Sequence, residues 1–176
     1  MSKSQIEQER ISLLNENDVN PEKDYVLYWM QQSQRDVYNH ALEFAIEKAN
    51  EIQKPLLVVF GLMDDYPDAN LRHYYFMLEG LKEVKKKLRD RKIKMIVIHG
   101  NPADVAIKYA KEAALLVCDR GYLRHQKEWR KKVAENAPVQ VWQIESDLVV
   151  PVETASDNQE YAARTIRPKI HKHLDR

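Results

Sequence analysis

The chain has 176 residues, of which 44% are hydrophobic and 31% charged, with a formal net charge of +1. That is the length and make-up of one globular domain able to bury a core, without an overall drive toward nucleic acid or an anionic membrane. The single cysteine excludes an internal disulfide framework, no apolar run reaches the roughly 20 residues of a bilayer span, and the polar start is wrong for a signal peptide, so a cytoplasmic protein with no membrane partner is expected.

Residues 1–24 are a polar lead-in whose Ile6, Arg10, Leu13 and Leu14 could line one face of a short helix, ended between Asn15 and Pro21. Residues 25–30 (Tyr-Val-Leu-Tyr-Trp-Met) read as a buried strand. It stops at Gln31-Gln32-Ser33-Gln34 and passes into an amphipathic helix from near Arg35 to Ala49, with Ser33 as its expected cap. A second strand is expected at 56–60. The loop 61–69 that follows carries Asp64, Asp65 and Asp68.

From Asn70, apolar residues at steps of three and four (Leu71, Tyr74, Leu78, Leu81, Val84, Leu88) predict a long helix. Its far end, Lys85-Lys86-Lys87 to Lys92, is cationic where the macrodipole favours positive charge. A third strand follows at 95–98, then a helix opened by Pro102 and running through Lys111. The fourth strand, 115–118, runs into Asp119-Arg120-Gly121. A helix at 123–135 ends before Pro138, and the fifth strand is 139–144.

Five strands alternating with helices predict an α/β fold. The expected form is an open, five-stranded, mostly parallel sheet of order 3-2-1-4-5 with helices on both faces, a Rossmann-like domain over 25–150. The remaining 151–176 reads as a C-terminal extension. Residues 149–152 look extended, Asp157 and Glu160 have capping-box spacing, and a basic helix is expected to reset at Pro168.

In such sheets ligands bind beyond the carboxyl ends of the strands, which makes Trp29 to Arg35 the expected rim of a site. Asp119, Arg120 and Tyr122 end the neighbouring strand and should face it across the crevice, as an internal ion pair or as ligand contacts. There is no glycine-rich phosphate loop, no nucleophile elbow and no zinc-type His pair; four glycines could hardly build the first. Asp64, Asp65 and Asp68 lack the EF-hand pattern and read more simply as a solvated turn than as a metal site. The six histidines are scattered, Cys118 reads as a buried strand residue, and Trp29, Tyr74, Tyr75 and Trp142 as core or crevice lining. The basic tail is the one stretch where nucleic acid contact competes with a solvated helix or a docking surface.

Several motifs in order carry a resemblance. They are Tyr-Trp-Met-Gln-Gln-Ser-Gln-Arg (28–35), Asn39-His40-Ala41-Leu42, Val59-Phe60-Gly61-Leu62, Arg72-His73-Tyr74, Phe-Met-Leu-Glu-Gly-Leu (76–81), Cys-Asp-Arg-Gly-Tyr-Leu-Arg (118–124) and Glu-Tyr-Ala-Ala-Arg-Thr-Ile-Arg-Pro-Lys-Ile (160–170). Together they resemble the N-terminal domain of class II cyclobutane pyrimidine dimer photolyases.

The resemblance implies a Rossmann-like domain that can hold a light-harvesting antenna, 8-hydroxydeazaflavin or FMN/FAD. It places the catalytic FAD and the lesion pocket in a separate helical domain that would begin where this sequence stops. Dimer splitting by these residues alone is therefore not expected, and neither is a metal. The positions it suggests for an antenna are Trp29, Met30, Gln31, Gln32 and Arg35 with Asp119, Arg120 and Tyr122. The partner would be a separately encoded catalytic domain, or a second copy through 157–176, with at most weak or indirect nucleic acid contact. A small nucleotide-binding or regulatory module, or one piece of a split photolyase, is the alternative.

Overall fold

The computed structural model describes residues 6–174. A three-residue 3-10 turn, Gln8–Arg10, leads into β1 (Ile11–Leu13). Then follow β2 (Tyr25–Trp29), α1 (His40–Glu51), β3 (Leu56–Leu62), α2 (Leu71–Asp90) and β4 (Lys94–His99). The second half is α3 (Pro102–Ala110), β5 (Ala113–Asp119), α4 (Arg124–Asn136), β6 (Val141–Ile144), α5 (Val152–Ala155) and α6 (Ala163–His171).

The sheet order is β1-β6-β5-β2-β3-β4, parallel throughout except for β1, which pairs antiparallel with β6. The five parallel strands stand in the 3-2-1-4-5 order expected from the sequence, and β1 is a sixth at the edge. The lead-in is thus a turn and a strand where a short helix was expected. Its three residues are too few to alternate visibly, and side-chain anchoring holds it. The Arg10 guanidinium donates to the carbonyls of Leu148 and Val149, 2.7 Å each, and the backbone of Glu145 donates to Arg10 O.

The period-two alternation of a strand divides the core. Val26, Tyr28 and Met30 face α1 and α2, with Leu42, Phe44, Leu81, Val84 and Leu88. Leu27 and Trp29 face α3 and α4, with Val105, Ala106 and Val133. All seven residues of β5 and all but the first of β2 are buried. Each large apolar side chain so placed contributes about 1.5–3 kcal/mol, which is why these near-continuous apolar runs take the centre of the sheet.

Helix α1 starts at His40, five residues later than expected. Asn39 is the cap: its Oδ1 accepts from Leu42 N–H at 3.0 Å, while its Nδ2 donates to the Ser33 and Arg35 carbonyls. Ser33, the expected cap, instead donates its hydroxyl to Asp147 at 2.7 Å. Asn70 and Asn101 cap α2 and α3 in the same way, the latter just before Pro102.

The C-terminal extension also departs from its expected form. Val152 opens a helical turn rather than continuing an extended piece, and Glu160 caps nothing; it accepts from Ser156 and Lys169, tying the segment before α6 to the helix itself. Pro168 does not reset α6: the helix runs unbroken from Ala163 to His171, forgoing the hydrogen bond that residue 168 would have given the Arg164 carbonyl.

Candidate functional site

The chain turns from β3 and β4 on one side back to β5 on the other, so the topological switch point lies between β2 and β5. That crevice is filled by the protein's own side chain. Asp119, fully buried at the end of β5, accepts through Oδ2 from the backbone N–H groups of Gln31, Gln32 and Ser33 at 3.1, 2.8 and 2.9 Å. Its Oδ1 accepts from Arg130 Nη2 at 2.8 Å. Three consecutive amides around one anion make a nest of the kind that elsewhere holds a phosphate. Here a carboxylate takes that place and pins the β2–α1 turn.

The ion pair foreseen at this strand end therefore exists, but its cation is Arg130 of α4, not Arg120. Arg130 also stacks over Trp29, 5.3 Å from the ring centroid. Burial and the neighbouring Asp119 raise the Tyr28 phenol well above its ordinary pKa, so it stays a neutral donor. Burial likewise pushes the Cys118 thiol up to about 12, leaving it an unreactive core residue.

Beside this plug, beyond the ends of β2 and β3, a cleft of about 390 Å³ opens. Its floor is Phe60, Gly61 and Leu62 of β3. One wall is Gln31, Gln32 and Gln34 of the β2–α1 turn. The facing walls are Tyr66 and Ala69 of the loop after β3, His73, Tyr74 and Met77 of α2, Leu123 just before α4, and Gln126 and Trp129 of α4.

The polar groups on the floor are largely spent on each other. Gln31 Oε1 accepts from Trp29 Nε1 and from Gly61 N–H, both at 3.1 Å, and Gln31 Nε2 donates to Gly61 O at 3.0 Å. Gln126 Nε2 donates to Gln32 Oε1 at 2.6 Å, which leaves the Gln32 amide N–H groups for a guest. Across the mouth, His125 Nε2 lies 3.0 Å from the Tyr66 hydroxyl and packs edge-on against Trp129, fastening the loop to α4. Among the described residues, no lysine or arginine lines the cleft. An apolar, aromatic slot with a few carboxamides suits a flat, neutral, heteroaromatic ring with hydrogen-bonding edges.

The eight residues singled out from the sequence separate into three places. Gln31 and Gln32 line the cleft. Trp29, Met30 and Asp119 are fully buried behind it. Arg35, Arg120 and Tyr122 lie on the β6 side, where Arg35 binds Asp147, Arg120 binds Glu145 and Glu153, and Tyr122 donates to the buried Glu145 at 2.8 Å. Glu145 also accepts from Val152 N–H, so this second cluster fastens α5 to the body. Tyr66, His73, Met77, Leu123, Gln126 and Trp129 also line the cleft and were not foreseen as site residues from the sequence. Tyr74 was foreseen only as core or crevice lining. Among the described residues, no group of His, Cys, Asp or Glu side chains could hold a metal, and no helix is long and apolar enough to cross a membrane.

The DNA photolyase family profile matches residues 26–176. The chain belongs to the DNA photolyase family. It is 52% identical over 171 residues to a deoxyribodipyrimidine photo-lyase of Methanothermobacter thermautotrophicus, covering 97% of this chain and 38% of that protein. The corresponding photo-lyase of Potorous tridactylus is 35% identical, with 94% and 32% covered. The chain thus spans between about three tenths and two fifths of the length of the curated photolyases it matches. Among solved structures, an archaeal photolyase from Sulfolobus tokodaii with two FAD molecules superposes with a TM-score of 0.69 at 17% identity, over 85% of this chain and 35% of its own. A bacterial class III photolyase from Agrobacterium tumefaciens gives 0.62 at 15% identity, over 82% and 32%. At those identities the likeness is one of fold: a photolyase N-terminal α/β domain.

Proposed function

We propose that this photolyase region is an antenna domain of the class II type, and that the cleft between β3, α2 and α4 holds its chromophore. A deazaflavin or flavin ring system is the best fit. When bound, such a group would absorb light and pass the excitation to a catalytic flavin held elsewhere.

The observation that carries this reading is the lining itself: apolar and aromatic walls, Gln32 amide hydrogens turned to no partner among the described residues, and no lysine or arginine among them. Trp129 and Tyr74 would flank the ring, Gln32 would donate to a carbonyl on its edge, and the Tyr66–His125 contact would exclude water at the mouth. The absence of a cation favours a guest whose ring, rather than a phosphate tail, enters the cleft. That ranks 8-hydroxydeazaflavin or a flavin inserted ring-first above an adenine nucleotide. The solved photolyase with two FAD molecules supports a flavin in the antenna role.

On this reading these residues do not split pyrimidine dimers by themselves. The chemistry belongs to the part of the family's length that they do not span, whether in the same chain or in a separately encoded partner.

The test is an equilibrium titration with 8-hydroxydeazaflavin, FMN and ATP, following quenching of tryptophan fluorescence. Saturable quenching by the first two, lost in Trp129→Phe while the absorbance change persists, supports the cleft. No affinity for either overturns it, and tight ATP binding with indifference to flavins favours a nucleotide-sensing module.

A further inference from the structure

We propose that the groove between the C-terminal half of α2 and the edge strand β4 is a docking surface for the phosphodiester backbone of duplex nucleic acid, engaged without regard to sequence or damage. The groove has a volume of about 490 Å³ and is lined by Lys82, Lys85, Lys86, Arg89, Lys92 and Lys94 over a floor of Ile93 and Met95. Both floor residues are buried, whereas all six cations are exposed. Glu83 and Asp90, the acids in this stretch, do not line it. Concentrating six cations in one groove of a chain whose net charge is only +1 makes the patch a local feature and not a reflection of overall basicity.

The ordinary explanation of a cationic helix end is the macrodipole, equivalent to roughly half a charge. Lys87 and Arg91 in and just after the last turn already meet that need, and they also pair with Asp36 and Glu43 at 3.3 and 2.9 Å. Lys82 pairs with Glu79. That leaves Lys85, Lys86, Arg89, Lys92 and Lys94, none within ion-pair distance of a carboxylate among the described residues. Five like charges held together repel one another, and an anionic partner relieves that.

Geometry and chemistry select the partner. From Lys82 to Arg89 the cations run about 10 Å along the helix, and Lys92 and Lys94 extend the row around the corner onto β4. This line matches successive phosphates of one strand. Among the described residues, the groove offers no exposed aromatic or aliphatic anchor of the kind that centres a protein interface, and backbone contact by Lys and Arg needs none. The surface is distinct from the chromophore cleft, and its test does not depend on what that cleft holds.

The experiment is binding of a labelled, undamaged 20-base-pair DNA duplex to the chain at rising salt. With about four phosphates engaged, the affinity is expected to fall about 150-fold between 50 and 200 mM salt. The double variant Lys85→Glu/Lys86→Glu should weaken binding more than tenfold and flatten the salt slope by about two. Both side chains are exposed, and an unchanged thermal midpoint will show that the fold is intact. Arg164→Glu/Arg167→Glu on α6 should leave binding unchanged. The proposal is overturned if the duplex does not bind at 50 mM salt, if binding is salt-insensitive, or if the α6 variant abolishes binding while Lys85→Glu/Lys86→Glu does not. Self-association lost in Lys85→Glu/Lys86→Glu without any DNA binding would also overturn it, and would make the groove a protein contact.

Discussion

Asp119 does by itself what a ligand does in many related sheets: it supplies the negative charge that three converging backbone amides require. Replacing it with asparagine would remove that charge and strand Arg130 in the core at 4% side-chain exposure. Asp119→Asn is expected to lower stability by about 3–5 kcal/mol, the usual cost of breaking a buried pair from one side, and a urea melt will read it. The sequence drew attention to Asp119 because it ends an apolar strand, but it could not identify Arg130. That partner stands eleven residues on, among the lysines and arginines of α4, and only the packing of α4 onto the sheet selects it.

His40 gives a second test at this scale. Burial, then the charge of Arg10, holds its imidazole below the ordinary 6.5. The unfolded chain therefore takes up a proton first as pH falls. His40 costs nothing above 6.5, and stability declines as pH drops below it toward the lower folded value. The thermal midpoint should fall over that interval, and His40→Gln should flatten the decline.

At the scale of elements, the β2–α1 connection decides what the site looks like. A helix starting at Arg35 would have carried Gln31 and Gln32 away from β3. Instead the chain spends residues 30–39 in a turn held by Asp119 and Asn39, with Tyr38 in the left-handed region at φ 51°, and Gln31, Gln32 and Gln34 lie along the cleft. Propensity favoured the earlier start because Arg35 and Val37 tolerate helix; tertiary hydrogen bonds outweighed it. β3 meets α3 as tightly. A Cβ on Gly61 would stand 2.6 Å from Pro102 Cα, a backbone atom that cannot step aside. Gly61→Ala should therefore cost about 1–3 kcal/mol by overpacking, visible in the same melt, and should widen the cleft floor. Edge strand β1 escaped the sequence reading for a physical reason: its stability comes from β6 and from Arg10, not from any apolar periodicity of its own.

For the whole molecule, the parallel core was legible because strands buried on both faces write themselves as apolar runs, and right-handed crossovers leave little choice of order. The candidate site was only half legible. Its β2 side follows from strand-end position, but the opposite wall comes from α2 and α4. Their site-facing residues belong to the same 3.6-residue stripes that build the core, so spacing does not mark them out. This is why Arg120 and Tyr122, which sit in a conspicuous motif, fasten α5 to the body, while Trp129 and Gln126, which sit in an ordinary-looking helix, face the cleft.

On this proposal the cleft, and not the plugged crevice beside it, is the chromophore site. Titration of 8-hydroxydeazaflavin, read by its own absorbance, into the chain and two variants separates the two places. Ala69→Trp fills the cleft and is expected to weaken binding more than tenfold, whereas Arg120→Ala, on the far side of Asp119, leaves it unchanged. Unaltered binding in Ala69→Trp together with loss in Arg120→Ala would contradict the claim and move the site to the β5–β6 side of the sheet.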